Sequence, residues 1–101
     1  MFGYLDLVMT NGVLMHVSPT DLTRALAEID RVSYRYFFTM DYFDEVETAV
    51  RDYHGYDDML WRRDMRASVA RAMPNWHVLW ERRVSQDEDT GRSTWAFLFG
   101  K

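Results

Sequence analysis

The chain has 101 residues, 12 basic against 16 acidic side chains for a formal charge of −4, no cysteine, and hydrophobic residues at 48%. That length supports one packed domain and no more, and the absence of cysteine excludes disulfides, thiolate nucleophiles and cysteine-bound zinc. There is no general basic field for nucleic acid or an anionic membrane, and no apolar run nears the roughly 20 residues of a membrane span, so cytoplasm is the default compartment and neither secretion nor insertion is expected.

The stretch from Tyr4 to Met9 reads as the organising element. Leu5, Leu7 and Val8 form an apolar run bounded by Asn11 and Gly12, which suits a parallel strand covered on both faces. The loop at its carboxyl end, Thr10 to His16, is where ligands bind in open α/β sheets. Ser18, Pro19 and Asp21 then supply an N-cap hydroxyl, a proline at the first helical position and an acid in the first turn. Leu22, Ala25, Leu26 and Ile29 recur at helical spacing and line one face. Tyr34 to Tyr42 is aromatic and rich in strand formers, which completes a βαβ unit, right-handed by base rate.

From Phe43 to Asp58 the chain is acidic and aperiodic, with Asp44, Glu45, Glu47, Asp52, Asp57 and Asp58 around Tyr53-His54-Gly55-Tyr56. This reads as a long loop with one helical turn, a candidate lid over the carboxyl edge. Asp64 opens a second helix with Met65, Val69, Ala72 and Met73 on one stripe, and Pro74-Asn75 ends it. Trp76 to Val84 alternates as a strand with at least one solvated face, and Thr94 to Phe99 is a last strand antiparallel to it across a short polar connection. The order is β-α-β-loop-α-β-β.

Four segments carry a resemblance: Asp6 to Pro19 (DLVMTNGVLMHVSP), Tyr34 to Tyr42 (YRYFFTMDY), Leu60 to Asp64 (LWRRD) and Thr94 to Lys101 (TWAFLFGK). In order and spacing the chain resembles the C-terminal half of class I S-adenosylmethionine (SAM) dependent methyltransferases, specifically the family associated with pseudaminic acid biosynthesis. The resemblance implies an α/β, Rossmann-like partial domain over residues 1–101, equivalent to strands four to seven of the complete sheet. The glycine-rich SAM loop and the ribose-binding acid of the family have no counterpart here.

Under that resemblance Thr10, Asn11, Gly12 and Val13 correspond to the cofactor wall after strand four; a plain tight turn is the alternative. His16 is a candidate general base, since a histidine near neutrality accepts a proton, or else a residue packed at a helix start. Asp41 and Tyr42 match an acidic and aromatic pair facing the substrate, with Asp41 catalytic and Tyr42 substrate-binding. Arg62 and Arg63 could grip a carboxylate or phosphate through paired hydrogen bonds, or form salt bridges to the acidic loop. His16, His54 and His77 do not fall at metal-ligand spacing, and no metal is expected.

Two functions follow. In the first, the chain is the substrate-side half of a methyltransferase acting on a small molecule, a sugar or sugar-like acceptor, with SAM bound only when a complementary cofactor-binding polypeptide is present. In the second, it is a non-catalytic remnant serving as a binding or assembly module. Either way the opening strand, lacking one flank, should pair with such a partner or with a second copy in a homo-oligomer.

Overall fold

The computed structural model describes residues 5–51, 53–56 and 59–101. Tyr4, at the expected start of the first strand, and the acidic residues Asp52, Asp57 and Asp58 lie outside the described residues. The expected order holds: β1 (Leu5–Asn11), a 3-10 turn (Leu14–His16), α1 (Pro19–Val32), β2 (Ser33–Phe43), β3 (Thr48–Ala49), β4 (Trp61–Arg62), α2 (Met65–Ala72), β5 (His77–Gln86) and β6 (Ser93–Gly100).

Local chemistry sets the helix ends. The Ser18 hydroxyl accepts from the Asp21 amide with proline in the first turn, and the Asp64 carboxylate accepts from the Arg66 amide at 2.9 Å. Both satisfy donors that a helix start leaves open. Helix α1 runs into β2 without a loop, and Ser33 closes the junction by donating to the Tyr36 carbonyl at 2.7 Å.

The main sheet has the order β1-β2-β6-β5. Strands β1 and β2 are parallel, as a βαβ crossover requires, while β6 is antiparallel to both β2 and β5. One face carries Val8, Phe37, Phe97 and Phe99, which pack with Leu22, Leu26 and Ile29 of α1, Met65 and Val69 of α2, and Met73 and Trp76. The helical stripes read from the sequence are thus the buried stripes. Trp76 belongs to this core rather than to a strand, and its indole donates to Asp30 at 2.8 Å.

The opposite face has no covering layer among the described residues. Register puts Leu7 beside Tyr36, Met9 beside Phe38 and Asn11 beside Met40, with Leu98 and Trp80 continuing the row. Leu7, Met9, Tyr36 and Trp80 are all exposed, Met9 by 64%. The expectation that β1 is covered on both faces is therefore corrected. Only its Val8 and Thr10 side meets the core, because β1 lies at the sheet edge and both helices sit on one side.

One further expectation changes. Among its described residues the acidic segment holds no helical turn: Thr48 and Ala49 pair antiparallel with Arg62 and Trp61, and Val50, Leu60 and Trp61 are buried. Strand β5, expected to have at least one solvated face, is exposed along all ten residues, as suits the second sheet edge. Its pairing with β6 is interrupted between Val78 and Trp80 and again between Arg83 and Ser85.

Phe37→Ala should cost about 3–5 kcal/mol of stability, whereas Met9→Lys should stay within about 0.5 kcal/mol for the isolated chain. Urea titration of both variants checks the pair; a large loss from Met9→Lys would mean that the open face is buried in solution.

Candidate functional site

The site forms where β1 and β2 end. Gly12 turns the chain out of β1 with φ +68°, a left-handed conformation that glycine adopts without Cβ strain, and its amide donates to the Met40 carbonyl at 2.8 Å. The 3-10 turn that follows carries the Met15 amide over Asp41. A cavity of about 140 Å³ opens here, lined by Asn11, Gly12, Met15, Met40, Asp41, Tyr42 and Thr94.

Asp41 is 4% exposed. Its Oδ1 accepts from the Met15 amide at 3.2 Å, and its Oδ2 accepts a short hydrogen bond from the Thr39 hydroxyl. Thr39 in turn accepts from Thr10 Oγ1 at 2.7 Å, because the parallel register sets Thr10 against Thr39. A hydroxyl has one proton to give, so the relay runs one way, from Thr10 through Thr39 to Asp41. Burial pushes the Asp41 carboxyl above the ordinary aspartate range; the bonds from Thr39 and Met15 and the charges of Arg63 and His16 oppose that push without cancelling it.

Arg63 is the other buried charge, at 1% exposure. Its Nη1 donates to the Leu14 carbonyl at 2.9 Å, its Nη2 to the Val17 carbonyl at 2.8 Å and its Nε to Glu47, while its backbone amide reaches the Tyr42 carbonyl at 3.4 Å. The guanidinium therefore binds the 3-10 turn and the acidic segment to the end of β2. Arg62 faces Asp44 at 3.7 Å. Of the two readings of these arginines, grip on an anionic substrate or salt bridges to the acidic loop, the geometry is that of the second.

His16 is exposed and does not line the cavity. Its Nδ1 sits 2.6 Å from the Met59 carbonyl; a carbonyl only accepts, so Nδ1 carries a proton and Nε2 is the nitrogen left to accept one. Tyr53 stands beside the ring with centroids 5.7 Å apart. Among the expected cofactor-wall residues, Asn11 and Gly12 line the cavity, Thr10 is engaged with Thr39, and Val13 is 53% exposed. Tyr42 lines the cavity beneath Arg92, whose guanidinium lies 5.6 Å from the ring centroid. The structure thus brings together Asn11, Gly12, Asp41 and Tyr42 and leaves His16, Val13, Arg62 and Arg63 outside the cavity wall. Sequence reading missed Thr39, Met15, Met40 and Thr94. Only Thr39 carried a signal, as a polar residue two places before Asp41 on the same strand face.

No group of three or more metal-ligating side chains occurs among the described residues, and no helix there is long and apolar enough to cross a membrane.

Arg63→Ala should destabilise the chain by about 1–3 kcal/mol, since it leaves the buried Leu14 carbonyl without its donor and frees the Val17 carbonyl and Glu47; thermal or urea unfolding reads this directly. For Asp41→Asn the expectation depends on pH. Below the ordinary aspartate range both folded and unfolded wild type hold the proton; as pH rises the unfolded chain ionises first, and wild-type stability falls until the raised folded-state pKa is passed. The variant escapes that loss, so its stability relative to wild type should climb with pH and then level off. A gap that is flat with pH would show that Asp41 titrates normally.

Neither a protein-family model nor a curated protein sequence matches the chain, and the pseudaminic acid family of the resemblance is not confirmed. Solved structures do match. A Burkholderia thailandensis 1,6-didemethyltoxoflavin-N1-methyltransferase, solved with 1,6-didemethyltoxoflavin and S-adenosylhomocysteine bound, aligns over 100% of this chain and 45% of its own, with a TM-score of 0.79 and 15% identity. A SAM-dependent methyltransferase from Methanosarcina mazei aligns over 99% of this chain and 60% of its own, with a TM-score of 0.69 and 13% identity. The chain therefore spans about half the length of the enzymes it is similar to, and its fold is that part of the Rossmann-like methyltransferase fold.

Proposed function

We propose that the chain is the acceptor-side half of a SAM-dependent methyltransferase for a small molecule, completed by a cofactor-binding half that adds a strand beside β1 and covers the open sheet face. That half can be joined to this chain in one polypeptide or supplied by another. The carrying observation is the pairing of two facts: methyltransferase structures continue beyond the region shared with this chain, and among the described residues β1 presents an unpaired edge and exposed Leu7 and Met9. Such an edge is a template for a further strand. Strand β5, the other edge, is broken by two irregularities and carries Glu81, Arg82 and Arg83, devices that discourage pairing.

Methyl transfer needs a positioned donor and nucleophile. SAM, when bound, would supply an electrophilic methyl group, and the acceptor taking it would give up a proton to a base. In this reading Asn11, Gly12, Val13 and Thr10 form the cofactor wall, Tyr42 contacts the acceptor, and Asp41 takes the proton. Its cavity position favours Asp41 over His16, which would serve through Nε2 from outside. The small-molecule acceptor is supported by the Burkholderia neighbour, which is a 1,6-didemethyltoxoflavin methyltransferase.

Calorimetry tests the reading. The isolated chain should show no saturable SAM binding, and a complementary half with a glycine-rich strand-turn-helix should restore it together with protection of the outward amides between Leu5 and Asn11. Micromolar binding by the chain alone, about 8 kcal/mol, would overturn the need for that half. Protection of those amides in a dimer seen by light scattering would assign the edge to a second copy and favour an assembly module.

A further inference from the structure

Alternation along β2 puts Phe37, Thr39 and Asp41 on one side of the strand, and Phe37 marks that side as the one packed against the helices. There Thr39 is 0% exposed and Asp41 4%, whereas Thr10 on β1 is half-buried. Two hydrogen bonds join the three side chains, from Thr10 to Thr39 at 2.7 Å and from Thr39 to Asp41. The carboxylate is therefore the inner end of a row of oxygens, and Thr10 is the outer end.

A hydroxyl has one proton to give, so the charge at the inner end sets the direction of both bonds. An ionised Asp41 only accepts, and both hydroxyls point inward. A protonated Asp41 has a donor of its own. Its Oδ1 is occupied by the Met15 amide, so the proton sits on Oδ2 and points at Thr39. Thr39 must then send its proton elsewhere. Among the described residues its hydroxyl bonds to Thr10 and Asp41 alone, and an unmet buried donor is costly. Thr39 turns to Thr10, and Thr10 turns its proton outward.

The charges that face Asp41 are those of Arg63 and His16. Arg63 is bonded to Leu14, Val17 and Glu47, and on β6 the neutral Trp95 stands opposite Asp41 in register. None of these bonds to the carboxylate, and the Met15 amide, which does, holds its proton at any ordinary pH. Thr39 is the one bonded partner that can pass a proton.

We propose that Asp41 exchanges its proton with the surroundings through the Thr39 and Thr10 hydroxyls, with Thr39 as the positioning residue of the relay and Thr10 as its outer end. A proton leaves its source for Thr10 Oγ1, the Thr10 proton moves to Thr39 Oγ1, and the Thr39 proton moves to Asp41 Oδ2. Three O–H bonds form while two hydroxyl bonds and the source's own bond to hydrogen break. Both threonines end as neutral hydroxyls, the carboxylate loses its charge, and the source becomes one unit more negative. Naming a methyl acceptor as that source rests on the methyltransferase reading; the relay itself stands on the hydrogen bonds.

Nuclear magnetic resonance of the full chain tests this without SAM. On titration the Thr10 and Thr39 methyl signals should move with the same midpoint as the Asp41 carboxyl carbon, above the ordinary aspartate range because burial raises it. His16→Gln should keep that response, which excludes the imidazole as its origin. Thr39→Val should leave Thr10 unmoved through the Asp41 midpoint, and Thr39→Ser, which keeps the hydroxyl, should restore the coupling. Asp41→Asn donates to Thr39 permanently, so Thr10 should stay at its low-pH position at every pH; this variant decides the matter if Thr39→Val does not fold. A Thr10 signal that ignores Asp41 in wild type, follows it in Thr39→Val, or still titrates in Asp41→Asn would overturn the relay. The two readings fail separately: a completed assembly that binds no SAM while Thr10 still follows Asp41 would sink the methyltransferase assignment alone.

Discussion

The buried guanidinium of Arg63 is the interaction on which the site depends. Taking a charge out of water is costly, and the cost is offset only when its donors are met; Leu14, Val17 and Glu47 meet them. The two carbonyls belong to the chain just after β1, the carboxylate belongs to the acidic segment, and the arginine's own amide touches the end of β2. One side chain thus fixes three pieces that share no helix or continuous strand. The turn it holds delivers the Met15 amide to Asp41, so the geometry of the buried carboxylate is set at second hand by Arg63.

Asp41 shows what that arrangement leaves open. Hydrogen bonds stabilise its charged form, yet burial outweighs them and the carboxyl binds its proton more tightly than a free aspartate. A carboxyl raised by desolvation keeps its proton to a higher pH than a free aspartate does, and its hydrogen bonds to Thr39 and Met15 hold it against the 3-10 turn. The acidic segment contributes less as a lid than as a brace, since Glu47 and Asp44 pair with Arg63 and Arg62, and β3 and β4 bind its two ends together.

The two edges of the sheet differ in the same physical terms. Strand β5 is irregular and charged, which protects an exposed edge. Strand β1 pairs regularly with β2 from Leu7 to Asn11 and exposes leucine and methionine on the uncovered side. Among the described residues the core packs on one face of the sheet alone.

The sequence by itself determined the order of the elements, the caps at Ser18 and Asp64 and the buried stripes of both helices, because apolar periodicity and capping chemistry are local and span only a few residues. It also marked Asn11, Gly12, Asp41 and Tyr42 as neighbours at a strand edge, since strand ends in a βαβ unit fall on the same side. Only the tertiary structure decided that Arg63 sends its Nη1 and Nη2 donors 46 to 49 residues back along the chain, that Thr39 links Thr10 to Asp41, that Trp76 enters the core, and that β1 and β5 stand exposed. Each of these depends on which partner a group meets across the fold. A side chain's type states what it can bond, and the packing of distant segments decides what it does bond.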